Sequence, residues 1–104
     1  MLSNETKSEI KKRLLEKFEL KKIIIFGSQA RGTADDKSDV DLLVVASDFK
    51  DRYKIMRELR RSLLEMDYAF DIIAVTPEEF NRDKNIPGTI ARYASKEGII
   101  IYEA

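Results

Sequence analysis

Three segments of the sequence contain candidate catalytic or ligand-binding residues. The first is Gly27-Ser28, which directly follows an apolar run. The second is Asp39 with Asp41 at the head of another apolar run, and the third is Asp71, which interrupts a further one. The chain has no cysteine and no histidine, so thiolate and imidazole chemistry are excluded. Carboxylates, hydroxyls, cationic side chains, backbone groups and hard metal ions remain.

The Gly27-Ser28 junction predicts a tight turn that suits a phosphate group. Glycine allows the backbone to turn sharply and to approach a ligand closely. Ser28 would then open a short helical turn whose free N–H groups and hydroxyl face the phosphate, and Gly32 would end it. A plain strand-to-turn junction explains the same residues, so this segment alone does not decide the function.

The acidic residues on the neighbouring predicted strands favour a site for hard cations. Asp39 and Asp41 are two residues apart, which places them on the same face of a strand. Adjacent anions on a half-buried sheet are costly unless a cation neutralises them, and Asp71 within a buried strand has the same need. Together the three acids predict a two-metal site in which Mg²⁺, or Mn²⁺, bridges carboxylates to substrate phosphates.

Simpler explanations exist for each acid. Asp39 could lie at the water-exposed start of its strand, although Asp41 lies further into the apolar run. Asp71 could pair with an arginine, for which Arg31 is the candidate. Asp67 competes with Asp71 as the third acid, but it precedes the apolar run and is expected in a helix–strand turn.

Hydrophobic periodicity predicts the elements that must position these residues. We expect helices over residues 3–19, 51–66, 78–82 and 86–96. We expect strands over residues 22–26, 39–46, 68–75 and 99–102. In the last helix, Ile90, Tyr93 and Ala94 are predicted to face inward. Because only about a dozen residues join the first two strands, these strands should pair antiparallel. The fold class is α+β, a small mixed sheet flanked by helices in a single domain, 1–104.

Charge and hydropathy restrict the partners. The 19 basic and 19 acidic residues cancel, so no overall field draws the chain to nucleic acid or to a membrane. Arg57, Arg60 and Arg61 are expected to form a solvated helix face rather than to contact RNA. No apolar run approaches the roughly 20 residues that span a bilayer, and no export signal is visible. We therefore expect a cytoplasmic protein without a membrane partner.

Two motifs together resemble the nucleotidyltransferase signature of the DNA polymerase beta superfamily. They are GSxARG at residues 27–32 and SDxDL at residues 38–42. The short chain and its final EGIIIYE segment resemble the minimal nucleotidyltransferases (MNT), over about residues 8–103. The resemblance implies a polymerase beta palm-like fold. Its implied roles are phosphate binding by Gly27 and Ser28, charge balance on the leaving pyrophosphate by Arg31, and catalysis with metal binding by Asp39, Asp41 and Asp71.

The same resemblance implies a substrate and a partner. Minimal members commonly pair with a small all-helical protein of the HEPN class in a toxin–antitoxin arrangement, which implies transfer of AMP from ATP (or of another nucleotide) to a tyrosine of that partner. Larger members carry a second helical domain for the acceptor, and these 104 residues contain none, so the acceptor should come from outside. Two alternatives remain, a non-catalytic antitoxin that covers its partner and a homodimer that modifies a small molecule.

Overall fold

The computed structural model, which describes residues 2–32 and 39–104, contains five helices and four strands in that part of the chain. The helices are α1 (Asn4–Lys17), α2 (Ser28–Arg31), α3 (Arg52–Ser62), α4 (Pro77–Asp83) and α5 (Ile90–Glu97). The strands are β1 (Leu20–Phe26), β2 (Val40–Ala46), β3 (Phe70–Val75) and β4 (Ile99–Glu103). No helix of these residues is long and apolar enough to cross a membrane.

The strands form one mixed sheet in the order β3-β2-β1-β4. β1 pairs antiparallel with both β2 and β4, whereas β2 pairs parallel with β3. The predicted α+β class and the antiparallel first pair are therefore confirmed. The parallel pair places the first residues of β2 and β3 side by side at one end of the sheet.

Capping residues set where the helices begin. The Ser3 side chain accepts a hydrogen bond from the Thr6 N–H at the start of α1, and the Asp51 side chain accepts one from the Lys54 N–H at the start of α3. Both side chains satisfy N–H groups that the first turn of a helix leaves without an internal partner.

The third predicted strand is shorter than expected, because β3 begins at Phe70 rather than at residue 68. α3 also ends at Ser62 rather than at residue 66.

Each face of the sheet buries its own core. One face packs against α1 and α3 through a cluster that includes Ile10, Leu14, Leu42, Leu59 and Ile72. The opposite face packs against α4 and α5 through a smaller cluster of Ile24, Leu43, Val45, Phe80, Ala91 and Ala94. The near-continuous apolar strands of the sequence follow from this, since both faces of the central strands are covered.

The inward face predicted for the last helix is wrong in part. Ala94 is buried as expected, but Ile90 and Tyr93 are 44% and 37% exposed. The helix begins only at Ile90, after the cap at Thr89, and its second buried residue is Ala91. Ala91 and Ala94 therefore form the buried face of α5, and Ile90 and Tyr93 lie towards its exposed side.

An ion pair joins the start of α3 to α4 across the end of β3. The Arg52 guanidinium donates to Glu79 Oε2 at 2.7 Å and to the carbonyl oxygen of Ala74 at 2.8 Å. Glu79 Oε1 also accepts from the Thr76 N–H at 2.9 Å, completing a capping box. The hydrogen bond from Arg52, followed by the one from the Thr76 backbone, lowers the pKa of Glu79 to about 2.

We expect Glu79→Gln to lower the free energy of unfolding at pH 7 by about 1 kcal/mol. Glutamine keeps the capping box but loses the charge that attracts Arg52. Because the folded-state pKa lies below the ordinary 4.5, the carboxylate's contribution is complete above pH 4.5 and is lost as the pH falls towards 2. Urea unfolding between these pH values should show the two proteins converging, and a pH-independent difference would contradict the assignment.

Candidate active site

The predicted phosphate-binding turn forms where β1 runs into α2. Gly27 adopts φ 75° and ψ −154°, a conformation that is essentially restricted to glycine. Its carbonyl oxygen accepts hydrogen bonds from the N–H groups of Ala30 and Arg31, both at 3.1 Å. Gly32 closes the turn with φ 74°. The short helical turn expected at Ser28 is thus present, with Ser28 as its first residue.

Gly27 lies against the carboxylate of Asp41. A Cβ atom built on Gly27 would overlap Oδ2 of Asp41. Glycine therefore fits here for two reasons: it tolerates the positive φ, and it leaves free the space that the carboxylate occupies. This contact brings Gly27 of the first motif and Asp41 of the second, which are 14 positions apart, into one site.

The register of the sheet brings Asp71 beside Asp41. The two residues are direct partners in the parallel pair of β2 and β3, and Asp41 faces Phe26 of β1 on its other side. Partners in a parallel pair share a face of the sheet, so both carboxylates belong to the face that α4 and α5 cover further along. Asp41 is half-buried, whereas Asp71 and Asp39, which immediately precedes β2, are exposed. Ser38 of the second motif lies outside the described residues.

The environment of Asp41 disfavours its charged form. Burial raises the pKa of the Asp41 carboxyl most, and the negative charges of Asp71 and Asp39 raise it further. The Arg31 guanidinium acts in the opposite direction and lowers it. The sequence predicts that mutual repulsion raises the pKa of at least one of Asp39, Asp41 and Asp71. The rise is confirmed for Asp41, but burial rather than repulsion is its largest cause.

The donor set fits a hard cation. In the part of the chain that the structure describes, no three acidic side chains are grouped closely enough to hold a metal ion together. Convergence of Asp39, Asp41 and Asp71 on shared ions therefore stays a prediction. The charge of a cation beside Asp41 would offset the burial and repulsion that raise the pKa of its carboxyl, and carboxylate oxygens are the ligands that Mg²⁺ prefers.

Arg31 is held beside Asp41 by a residue that the sequence analysis missed. Arg31 Nη1 donates a hydrogen bond to the hydroxyl of Tyr93 on α5. The Tyr93 ring packs edge-on against Phe26, with ring centroids 6.0 Å apart. The helical spacing of Tyr93 predicts a place in the core. A tyrosine hydroxyl needs a polar partner, and this need could have indicated that Tyr93 lies at the edge of the site.

A groove of about 410 Å³ extends from Asp39 and Asp71 around the β3 edge of the sheet. We call it the edge groove. Its other walls come from the end of α3 and the segment before β3, including Arg60, Leu64 and Tyr68. Asp67 lies in a bend of that segment, as expected for a helix–strand turn.

Comparison with known proteins gives one family match and two groups of relatives. Residues 7–101 match the family model of a nucleotidyltransferase domain. A Methanocaldococcus jannaschii protein named "Putative protein adenylyltransferase" is 39% identical over 88 residues, which cover 75% of this chain and 58% of that protein. A second protein of the same name and organism is 36% identical over 84 residues, covering 80% of this chain and 79% of that protein. The chain thus spans little more than half the length of the first relative.

Similar folds occur in solved toxin–antitoxin complexes. A chain of a toxin–antitoxin crystal structure with AMP-PNP superimposes with a TM-score of 0.66 at 21% identity, over 94% of this chain and 73% of that chain. A complex of a tri-AMPylated Shewanella oneidensis HEPN toxin with its MNT antitoxin gives a TM-score of 0.64 at 18% identity, over 99% of this chain and 74% of that chain. At these identities the likeness establishes the fold.

Proposed function

Because this chain belongs to the nucleotidyltransferase domain family, we propose that it transfers AMP from ATP to a hydroxyl group of a partner protein. The observation that carries the proposal is the contact between Gly27 and the Asp41 carboxylate, with Asp71 as the register partner of Asp41. This contact joins the turn predicted to bind phosphate to paired acids, an arrangement that suits phosphoryl chemistry without histidine or cysteine.

In this proposal the chain's own residues bind and orient the nucleotide. The triphosphate lies against the Gly27-Ser28 turn, where the Ser28 hydroxyl holds the terminal phosphates, and Arg31, fixed by Tyr93, balances their charge. Asp39, Asp41 and Asp71 would hold two Mg²⁺ ions, with Mn²⁺ as the substitute. When bound, such ions neutralise phosphate charge and polarise the attacking oxygen.

The transfer exchanges one phosphorus–oxygen bond for another. A bond forms between the acceptor oxygen and the α-phosphorus of ATP, while the bond from that phosphorus to the bridging oxygen of the β-phosphate breaks. Pyrophosphate leaves with the electron pair. The acceptor hydroxyl loses its proton on the side of the site where Asp71 lies, and the proton passes to water. The products are the AMP ester of the acceptor, pyrophosphate and a proton.

The relatives' names support a protein as the acceptor. The curated relatives carry the name "Putative protein adenylyltransferase", and two structural neighbours come from toxin–antitoxin complexes, one of them with an AMPylated HEPN toxin. We therefore propose that the acceptor is a tyrosine hydroxyl of a small all-helical HEPN-class toxin, and that its modification silences that toxin in the cytoplasm.

The proposal predicts metal-dependent labelling of such a partner. Incubation with α-labelled ATP, Mg²⁺ and a candidate HEPN-class protein encoded beside this chain should transfer the label to that protein, and mass spectrometry should place AMP on a tyrosine. Removal of Mg²⁺ with EDTA should abolish the transfer, and Mn²⁺ should restore it. Competition with CTP, GTP and UTP tests the choice of nucleotide.

A partner variant with phenylalanine at the modified position is the control, since it keeps the ring and removes the hydroxyl. Labelling that persists in EDTA would contradict the metal-dependent reaction. Suppression of the partner's activity without any labelling would favour the non-catalytic antitoxin. Labelling of a small molecule by a dimer of this chain, with the partner unlabelled, would favour the third alternative.

A further inference from the structure

The wall of the edge groove contains exposed apolar side chains. Leu64 is 70% exposed and Tyr68 is 38% exposed, so two large apolar side chains stand open to solvent along its wall. The Tyr68 ring contacts the Phe70 ring edge-on, with ring centroids 6.1 Å apart. Exposed apolar side chains that share a concave wall are typical of a surface that another molecule covers.

The groove also offers one cation beside its apolar wall. Arg60 of α3 is exposed and lines the groove. It forms no ion pair with an acidic side chain of residues 2–32 or 39–104. An occupant that carries an apolar group and a single anionic group would complement these walls. A polyanion such as RNA fits poorly, because Asp39 and Asp71 line the same groove.

The position of the groove matches the path of an acceptor. Across the sheet, the Gly27 turn ends β1, Asp41 lies on β2, and Asp71 lies on β3 at the edge. In an in-line displacement, the attacking and leaving oxygens lie on opposite sides of the phosphorus. If pyrophosphate leaves on the side of the Gly27 turn, the acceptor must enter from the side of Asp71. The edge groove opens on that side.

We propose that the edge groove binds the segment of the partner protein that carries the acceptor hydroxyl. An apolar side chain of that segment packs on Leu64 and Tyr68, and an acidic side chain near the hydroxyl pairs with Arg60. The hydroxyl itself lies beside Asp39 and Asp71, which also line the groove. This inference rests on the proposed function and adds to it the surface and the chemistry by which the acceptor is recognised.

Two exposed substitutions test the groove, each with a matched control on α3. Arg60→Glu reverses the charge, and Arg57→Glu makes the same change in net charge at an exposed site outside the groove. Leu64→Ser removes an exposed apolar side chain, and Tyr53→Ser does so at a residue that is 73% exposed. Circular dichroism checks that all four variants fold.

The readout separates acceptor binding from nucleotide chemistry. With the HEPN-class acceptor and α-labelled ATP, Arg60→Glu and Leu64→Ser should each raise the KM for the acceptor at least about tenfold, which corresponds to about 1.4 kcal/mol. The KM for ATP should not change, and the two control variants should behave as wild type. An acceptor in which an acidic residue near the labelled tyrosine is replaced by lysine should recover activity with Arg60→Glu and lose it with wild type.

The outcomes distinguish this inference from the proposed function. If wild type labels the acceptor but Arg60→Glu and Leu64→Ser match their controls, the groove does not bind the acceptor and the transferase assignment stands. If both variants instead raise the KM for ATP, the groove is part of the nucleotide site and the inference is wrong. If wild type labels no HEPN-class acceptor, the proposed function fails and the inference falls with it.

Discussion

Replacing Asp39 and Asp41 together by asparagine should lower nucleotidyl transfer by several orders of magnitude and leave the fold intact. Asparagine keeps the shape of each side chain but removes the negative charge that would hold the ions. Charge stabilisation by bound metal contributes several kcal/mol, and each ~1.4 kcal/mol is a tenfold change in rate. The fold should survive because burial and the neighbouring acids already raise the pKa of Asp41, so its charged form costs stability at neutral pH.

The experiment compares initial labelling rates of the acceptor by wild type, the double variant and Asp67→Asn. Asp67 is an exposed aspartate in the bend before β3, so its substitution removes a similar charge outside the site. Thermal unfolding in the presence of EDTA should place the double variant at or above wild type in stability. Equal labelling by wild type and the double variant would show that the two acids do not take part in catalysis.

Gly27→Ala should damage both stability and transfer, although it adds a single methyl group. The backbone at Gly27 has φ 75° and ψ −154°, a region in which a side chain costs about 1–3 kcal/mol. The added Cβ would also overlap Oδ2 of Asp41, so the carboxylate must move. We expect a loss of at least about 1 kcal/mol in the free energy of unfolding and at least about a tenfold loss in the rate of transfer.

Gly88→Ala provides the matched control. Gly88 has φ 89°, but a Cβ there would meet no atom within 4 Å, so its substitution introduces the backbone strain without a collision. It should lower stability while leaving transfer unchanged. In an Asp41→Ala background, where the carboxylate is absent, Gly27→Ala should cost less stability than in wild type. Equal costs in the two backgrounds would mean that the contact with Asp41 does not contribute.

The elements and their pairing could be predicted because they depend on local signals. The apolar run that ends at Phe26 is long enough for a buried strand and too short for a helix of the usual length. The brief connection after it excludes a helical crossover, which leaves antiparallel pairing with β2. The period of two in a strand predicts in the same way that Asp39 and Asp41 share a face. Because β2 begins only at Val40, Asp39 lies just before the strand, and its shared face with Asp41 stays a prediction.

Element ends and the faces of short helices are harder to predict. Periodicity favours burial of Ile90 and Tyr93 in α5, yet the buried residues of this helix are Ala91 and Ala94. Hydrophobicity favours the larger side chains, but the two alanines are the residues of α5 that pack into the smaller core cluster. Which face of the helix is buried depends on the β1 and β2 side chains of that cluster, which lie far from α5 in the sequence.

The sequence by itself determined which chemistry is available and which residues could perform it. The absence of histidine and cysteine, the glycine after a strand and the acids at period two are properties of residue type and spacing. Three further features depend on the folded arrangement of the chain: the fit of Gly27 against Asp41, the hydrogen bond between Arg31 and Tyr93, and the edge groove beside Asp71. Each of these joins segments that are distant along the chain. Their geometry therefore depends on strand register and helix packing, which only the folded chain establishes.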